Sequence, residues 1–263
     1  MGAPYQPFSR APQIRYRFTS NNFMLTAAAI WQSQYLSVGP KTNKPGETST
    51  RKSQEFMKKS CVPEFYLGVD YKRPGLIAGA GLHVSSITPR TQSETEDAVY
   101  FVNERVTGFS GEAHVKYTKE NWLVSAKTVL GTNLTQTSTV GGYGITSIDE
   151  VTGKQQYSPL RTSSTWVNVA YGKKWRPALF FGYLKNLGAT KEVPYGALGT
   201  GTTLDQLFTG TAELTYNIPH WKFGAEYSLC NAWYGDEFDA KAKAINSHSI
   251  LNHRIVLVAL FQF

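Results

Sequence analysis

Apolar and polar residues alternate with a period of two along most of the chain, as expected for β-strands whose two faces differ. About eleven such stretches occur, most of them roughly ten residues long or longer. They are residues 13–18, 23–34, 62–71, 76–88, 106–118, 122–132, 162–173, 177–187, 204–217, 221–234 and 248–263. The first ten stretches form five consecutive pairs, and a tight turn joins the two members of each pair. These turns are residues 20–22, 72–75, 119–121, 174–176 and 218–220. The pattern therefore predicts an all-β, antiparallel, up-and-down sheet.

The connections between these stretches alternate between tight turns and long polar loops. The long loops are residues 37–60, 89–105, 133–161, 188–203 and 235–247. In an up-and-down sheet, all of the long loops then lie on one side and all of the tight turns on the other. Transmembrane strands need about 9–11 residues, and bacterial outer-membrane barrels combine short periplasmic turns with long extracellular loops. The sequence therefore predicts a transmembrane β-barrel.

The two faces of the predicted strands differ in chemistry. Along residues 106–118, Phe109, Val115 and Tyr117 alternate with Glu112 and His114. Alternation alone is also compatible with a soluble sandwich whose apolar face points inward. The aromatic residues beside the tight turns favour the membrane, and they are Tyr71, Tyr117, Trp122, Tyr216, Trp221 and Phe263. A ring of aromatic side chains at one level is typical of the girdle at a membrane interface.

Composition agrees with a barrel and excludes a helical membrane protein. No stretch of about 18 or more apolar residues occurs, which excludes a transmembrane helix. The mean hydropathy of −0.31 resembles that of a soluble protein, but a barrel that alternates lipid-facing and lumen-facing residues has such a value too. The formal net charge of +8 is compatible with anionic partners, but solubility or lipid contact would give the same value. The first residues lack the features of a secretion signal.

The last strand ends on Phe263, an ending that resembles the C-terminal assembly signal of outer-membrane barrels. If the tight turns are periplasmic, counting back from this strand places the start of residues 13–18 outside the cell. Bacterial barrels have an even number of strands and a periplasmic start. We therefore expect residues 12–263 to be the C-terminal part of a roughly 16-stranded barrel, with residues 1–11 as a loop or truncated tail. The competing interpretation makes residues 1–10 a twelfth strand, against which their prolines argue.

The chain resembles a Gram-negative outer-membrane porin, most closely the DcaP-like trimeric porins. The resemblance covers nearly the whole chain from Pro12, and it depends on the start of the first strand at residues 12–16, the run at residues 166–173 and the terminal Phe263. It implies a homotrimer in the outer membrane, in contact with lipid and lipopolysaccharide, that conducts small hydrophilic solutes. Members of that family have an N-terminal portion that this sequence lacks.

Charged residues at inward-facing positions are the candidate pore lining. They are Arg15, Arg17, Lys116, Lys127, Lys222 and Arg254, together with the acidic Glu112 and Glu226. Cations in a low-dielectric wall would concentrate anionic solutes in the pore. The alternative is that these cations only pair with Glu64, Asp70, Glu112, Glu213 and Glu226 and hold the barrel in shape. Because both signs are present, we expect only a mild preference for anions, to which Arg15 and Arg17 contribute most.

Other polar clusters give weaker signals. The basic residues between Lys41 and Lys59 are expected to form a solvated loop, with contact to lipid phosphates, attraction of anions or folding inward as a constriction as the alternatives. The acidic group of Glu94, Glu96, Asp97 and Glu104 would pair with this loop or bind a divalent cation, although it lacks the spacing of a calcium loop. The glycine-rich runs at residues 141–144 and 196–201 lie in predicted loops, where a nucleotide fingerprint would need a strand and then a helix. His83 and His114 are expected to line the pore. Cys61 and Cys230 would either form a disulfide or remain separate thiols.

These features together predict a porin for the passive diffusion of small hydrophilic solutes through a charged lumen that long loops constrict. Neither catalysis nor a cofactor or metal is expected, and nucleic acid is not a predicted partner. An adhesin or structural barrel with a plugged lumen is the alternative. A barrel enzyme, such as a lipase or protease, is a further one, for which the sequence shows no recognisable Ser/His/Asp cluster. A soluble sandwich that binds carbohydrate is the remaining class.

Overall fold

The computed structural model describes residues 4–7, 10–32 and 37–263. Its long strands are β1 (Gln13–Ser20), β2 (Phe23–Ile30), β5 (Glu64–Arg73), β6 (Leu76–Ile87), β9 (Val106–Lys119), β10 (Trp122–Thr132), β12 (Gln155–Tyr171), β13 (Trp175–Ala189), β15 (Leu204–Ile218), β16 (Trp221–Phe238) and β17 (Ala244–Phe261). The shorter elements are β3 (Ser37–Pro40), β4 (Thr50–Ser53), helix α1 (Glu55–Ser60), β7 (Gln92–Glu94), β8 (Val99–Phe101), a 3-10 turn (Thr135–Thr137), β11 (Gly141–Ile148) and β14 (Ala197–Thr200). No helix in the described part of the chain is long and apolar enough to cross a membrane.

The long strands form one continuous antiparallel wall. Their order is β1-β2-β5-β6-β9-β10-β12-β13-β15-β16-β17, so each strand pairs with the long strands before and after it in the sequence. This order confirms the predicted up-and-down sheet and the eleven predicted strands. The short strands β11 and β14 extend the sheet to thirteen strands through β12. Within the described residues β1 and β17 do not pair with each other, so the wall has two free edges.

Several strand ends differ from the prediction on the long-loop side. β12 begins at Gln155, seven residues before its predicted start, and β16 continues to Phe238. The last connection, predicted as a long loop, is therefore only residues 239–243. The wall extends further on the long-loop side because β12 and β16 continue beyond the alternating stretches of the sequence. The predicted strand 23–34 corresponds to β2 as far as Ile30, and residues 33–36 lie outside the described residues.

The tight turns follow the expected chemistry with one shift. Asn21, Glu120 and His220 adopt positive φ values of 50°, 53° and 66°, as two-residue hairpin turns require. The turn predicted at residues 174–176 was wrong by about two residues. Gly172 has a φ of 99°, and Trp175 already belongs to β13, where it pairs with Tyr216. A glycine therefore sets the reversal, and the aromatic residue starts the strand.

Aromatic side chains form cross-strand pairs on the outer face beside the tight turns. Ring centroids are 5.2 Å apart in Phe23–Tyr71, 4.7 Å in Trp122–Tyr171, 4.5 Å in Trp175–Tyr216 and 4.9 Å in Trp221–Phe261. The four pairs lie at the same end of their strands, within a few residues of the turns. This arrangement agrees with the predicted girdle. The rest of the outer face is also apolar and exposed, as Leu67, Leu82 and Leu179 illustrate.

The long connections fold into a compact cap, which comprises β3, β4, α1, β7, β8, β11, β14 and the loops between them. Its core contains Phe56, Tyr143, Ile145 and Leu198, which pack with Ile87 and Val106 at the upper ends of β6 and β9. The two glycine-rich runs, predicted as loops, are the paired strands β11 and β14. A Cβ atom at Gly142 would collide with the carbonyl oxygen of Leu198, so glycine allows the two backbones to approach each other.

A buried ion pair joins separate loops of the cap. Arg90 donates from Nε to Glu104 Oε2 over 2.9 Å and from Nη2 to Glu104 Oε1 over 2.6 Å, and both side chains are fully buried. Arg90 also donates to the backbone carbonyls of Asn43 and Gly153. Burial alone would lower the pKa of Arg90, but the hydrogen bonds and charge of Glu104 hold this pKa above its ordinary value. The sequence analysis grouped Glu104 with acidic residues that could pair with the basic loop, and it did not identify Arg90 as the partner.

Candidate pore-lining site

The inner face of the wall carries every other residue of each long strand. The inward positions on β9 and β10 include Glu112, His114, Lys116 and Lys127. Their neighbours Tyr117 and Leu130 lie on the exposed outer face. Inward residues from β1 through β12 line one cavity of about 670 Å³. Inward residues from β12 through β17 line a second cavity of about 590 Å³. Because residues of distant strands line the same cavity, the wall is curved around an interior with polar groups.

The first cavity brings together five of the predicted pore-lining residues, which are Arg15, Arg17, Lys116, Lys127 and Glu112. Only Lys127 of these cations is paired, with its Nζ atom 3.0 Å from Glu112 Oε2. Arg15 donates from Nη2 to Gln13 Oε1 over 2.7 Å. Within the described residues, Arg15, Arg17 and Lys116 form no ion pair with a carboxylate. The sequence left open whether the inward cations are free or paired, and both kinds are present.

The carboxylates of this cavity are surrounded by donors and cations. Glu112 accepts a hydrogen bond from Tyr66 over 2.9 Å and lies 3.1 Å from His114 Nδ1, in addition to its pairing with Lys127. His114 Nε2 lies 3.1 Å from Asp70 Oδ1, and Lys72 approaches Asp70 to 3.8 Å. The acids are therefore locally compensated, whereas three cations of the same cavity are not. His114, expected from the sequence to line the pore, also lines this cavity.

His83 connects a carboxylate and a hydroxyl on three adjacent strands. Its Nε2 atom lies 3.2 Å from Oε2 of Glu64, which is 3% exposed, and its Nδ1 atom lies 3.3 Å from the Ser110 hydroxyl. These side chains line a smaller cavity of about 270 Å³, which Leu134 and Thr137 from the segment around the 3-10 turn also line. Gln136 in that segment donates to the Ser85 hydroxyl on the inner face of β6 over 3.0 Å. The long loop after β10 therefore enters the lumen and narrows it.

The remaining predicted residues lie around the second cavity. Glu226 and Arg254 line it, and Arg176 and Glu213 extend its charged surface. Glu226 Oε1 accepts a hydrogen bond from Ser228 over 3.2 Å. Lys222 lies on the same face of β16, nearer to the tight turn, and is exposed. Within the described residues these groups form no ion pair. The two halves of the lumen therefore both carry unpaired charge, with cations in excess in the first.

Residues 4–7 lie inside the barrel, which the sequence analysis did not anticipate. Tyr5 is 4% exposed and lines the second cavity, whereas Gln6 lines the first. The described residues of this segment are turn and bend rather than strand, so the twelfth strand proposed for residues 1–10 is not found at positions 4–7. The remainder of that proposed strand includes residues 1–3, 8 and 9, which lie outside the described residues. Two prolines so close together are the only sequence signal against a strand at this point.

Cysteine and metal chemistry have little support in this geometry. Cys61 is an exposed free thiol at the end of α1, and Cys230 is a free, half-buried thiol on the inner face of β16. The disulfide that the sequence left open is therefore not formed. In the part of the chain that the structure describes, no cluster of three or more His, Cys, Asp or Glu side chains could hold a metal ion.

The comparisons with known proteins show the fold alone. No protein-family model matches the chain, and no curated protein matches it. Outer-membrane expressed OmpT of Vibrio cholerae is 11% identical, with a TM-score of 0.51 over 99% of this chain and 72% of that one. A refined porin structure matches at 0.48 with 11% identity over 95% and 62% of the two chains. Salmonella typhi OmpF in complex with daunomycin matches at 0.49 with 13% identity over 94% and 61%.

The OmpT match assigns an outer-membrane β-barrel fold to this chain, in agreement with the sequence prediction. At 11% identity it does not extend to activity. The chain spans about three fifths of the length of the two porins, whose TM-scores are below 0.5. The resemblance to DcaP-like porins stays a prediction.

Proposed function

We propose that the chain forms the wall of an outer-membrane porin through which small hydrophilic solutes diffuse, with a mild preference for anions. The unpaired cations of the first cavity carry this proposal. Arg15, Arg17 and Lys116 face the lumen without a carboxylate partner among the described residues, whereas Glu112 and Asp70 are compensated by Lys127, His114 and Lys72. The uncompensated charge in this half of the lumen is therefore positive.

The lumen geometry supports selective diffusion rather than an open channel. Cavities of about 670 and 590 Å³ are large enough for small polar solutes. The loop around the 3-10 turn and residues 4–7 lie between or beside these cavities, so solutes would have to pass close to the charged walls. Charges that line a narrow path through a low-dielectric wall act strongly on passing ions.

A conducting pore also needs a closed wall, because unpaired backbone groups are not tolerated in lipid. The edges β1 and β17 are where the wall would have to close. We extend the proposal to a homotrimer in the outer membrane of a Gram-negative bacterium, whose apolar outer face contacts lipid and lipopolysaccharide. Gel migration before and after heating tests the assembly: a homotrimer is expected to migrate as one large species that heating converts to the single chain, whereas migration as a single chain before heating would contradict it.

The experiment that tests the proposal is ion selectivity in planar bilayers under a salt gradient. The double variant Arg15→Gln/Arg17→Gln is expected to shift the reversal potential toward cation preference. The matched control Lys119→Gln/Lys173→Gln also removes two positive charges, but from exposed positions at the tight turns, and should leave the potential unchanged. Equal shifts in both variants would contradict a role for the luminal arginines, and an absence of conductance in all three proteins would contradict the porin itself.

Ester hydrolysis is a second candidate function, favoured by the Glu64–His83–Ser110 arrangement. Carboxylate, imidazole and hydroxyl lie in the order that a serine hydrolase uses, at 3.2 and 3.3 Å. The arrangement is weaker than a hydrolase site because Ser110 pairs with His83 and Gly131 on both neighbouring strands, so its backbone does not form an oxyanion hole. Labelling of Ser110 by a fluorophosphonate, abolished in His83→Asn, would support this function, and an unlabelled Ser110 would exclude it.

A further inference from the structure

The inner face of the barrel contains a socket in which the ring of Tyr5 is seated. Its floor is a row of three paired residues on adjacent strands, Trp166 on β12, Gly182 on β13 and Thr209 on β15. A Cβ atom at Gly182 would lie 2.8 Å from Cζ of Tyr5 and 2.9 Å from its Cε2 atom. The absence of a side chain at this position is therefore what makes room for the ring. Phe180 contacts the ring edge-on, with centroids 5.8 Å apart.

The polar groups of the socket match a phenol. The Tyr5 hydroxyl donates to Thr209 Oγ1 over 2.6 Å, and Thr209 in turn donates to the Cys230 thiol over 3.6 Å. The buried Nε1–H group of Trp166 has no hydrogen-bond acceptor among the described residues, so the socket retains an unused donor beside the ring. An apolar slot that ends in a hydroxyl acceptor distinguishes a phenol from a plain arene.

The ring is held by a short segment rather than by the wall itself. The backbone carbonyl of Tyr5 accepts a hydrogen bond from Ser164 over 2.8 Å. The neighbouring residues Pro4 and Gln6 line the two large cavities, so the segment is bordered by open luminal space on both sides. The socket is therefore reachable from the lumen once the segment moves, without any rearrangement of the strands.

We propose that this socket is a binding site for phenolic solutes, which the side chain of Tyr5 occupies in their absence. A phenol that enters from the second cavity takes the place of the Tyr5 ring, donates to Thr209 and packs against Phe180 and Gly182. Binding and displacement are coupled, because the socket holds one ring at a time. The site goes beyond the proposed diffusion function, since binding there does not require that the barrel conduct ions.

The test measures the binding of p-cresol, which has the same ring and hydroxyl as the tyrosine side chain. Equilibrium dialysis of the full chain, refolded in detergent micelles, compares the wild-type protein with Tyr5→Gly and with Tyr5→Gly/Gly182→Leu. The first variant empties the socket, and the second fills it again with an aliphatic side chain. Heat-modifiable migration on a gel verifies that each protein is folded, and protein-free micelles give the background partition.

Tyr5→Gly is expected to bind one p-cresol per chain, at least tenfold more tightly than the wild-type protein, whose own tyrosine competes. Toluene, which lacks the hydroxyl, should bind about two- to tenfold more weakly than p-cresol because it does not donate to Thr209. The double variant should show only the micelle background. Equal uptake by the single and double variants, or equal affinity of the wild-type protein and Tyr5→Gly, would overturn the proposal.

Tyr5→Phe provides a test that keeps the socket filled and the packing intact. Without its hydroxyl the tethered ring loses the hydrogen bond to Thr209, so p-cresol should displace it more easily. The expected apparent affinity is about two- to tenfold higher than that of the wild-type protein. An affinity of Tyr5→Phe for p-cresol equal to that of the wild-type protein would overturn the proposal that the Tyr5 ring competes with the ligand. Because dialysis does not depend on conductance, failure here would leave the porin proposal untouched, and loss of conductance would not affect this result.

Discussion

At the residue scale, the cap depends on a pair of charges that are both fully buried. Arg90 and Glu104 form a bidentate pair, and Glu104 also accepts hydrogen bonds from the Gln155 backbone and from Tyr157. Glu104→Gln would leave the guanidinium without a charged partner. Breaking a buried pair in this way costs about 3–5 kcal/mol. We expect a loss of this size in the free energy of opening of β11, measured by amide hydrogen exchange.

The exposed pair of Arg51 and Glu55 provides a control within the same cap. Their side chains are 2.6 Å apart but more than two fifths exposed. Hydrogen bonds from Lys59 and Arg51 hold the pKa of Glu55 below its ordinary value, so its favourable contribution would be lost as the pH falls through that lowered pKa. Because solvent screens the pair, Glu55→Gln should cost less than about 1 kcal/mol. Equal losses of stability in Glu55→Gln and Glu104→Gln would contradict the claim that burial makes the Arg90–Glu104 pair important.

At the scale of the elements, β11 and β14 pair closely because both are rich in glycine. A side chain at Gly142 would collide with the backbone of Leu198, whereas a Cβ atom at Gly111 on the wall meets only Leu82 Cδ2 at an ordinary 3.7 Å. We expect Gly142→Val to separate the two strands, with faster amide exchange in both and unchanged protection in β9 and β10. Gly111→Val should leave all four strands protected. Amide exchange that increases equally in the cap and the wall of Gly142→Val would contradict a local role of Gly142 in the pairing of β11 and β14.

The strands of the wall and of the cap differ in which of their faces are buried, and this difference explains which elements could be predicted from sequence. A wall strand has one exposed apolar face and one face toward a polar interior, so Phe109, Glu112 and Val115 reveal it by alternation. The strand β11 is buried on both faces in its first half and carries three glycines, which resembles a loop in sequence. Tyr5 was missed for another reason, since its socket is assembled from residues more than 150 positions away. Such contacts leave no periodic signal.

At the scale of the whole molecule, the wall must be closed before it can separate lipid from water. Each backbone group left unpaired in hydrocarbon costs several kcal/mol, which makes two free edges incompatible with a stable pore. In lipid vesicles we therefore expect the amides of β1 and β17 to be as protected from exchange as those of β9. Rapid exchange confined to β1 and β17, with β9 protected, would mean that the wall stays open and would exclude a pore.

The field inside the lumen leads to a prediction that depends on salt. In the proposed pore, Arg15, Arg17 and Lys116 would act on ions over roughly a Debye length, which is about 10 Å at 0.1 M salt and about 3 Å at 1 M. The anion preference in bilayers should therefore be largest at 0.1 M and decline toward the ratio of ion mobilities at 1 M. Arg15→Gln/Arg17→Gln should show a flatter dependence, since less fixed charge remains to be screened. A preference that is independent of salt would indicate that pore width rather than the luminal charges selects the solute.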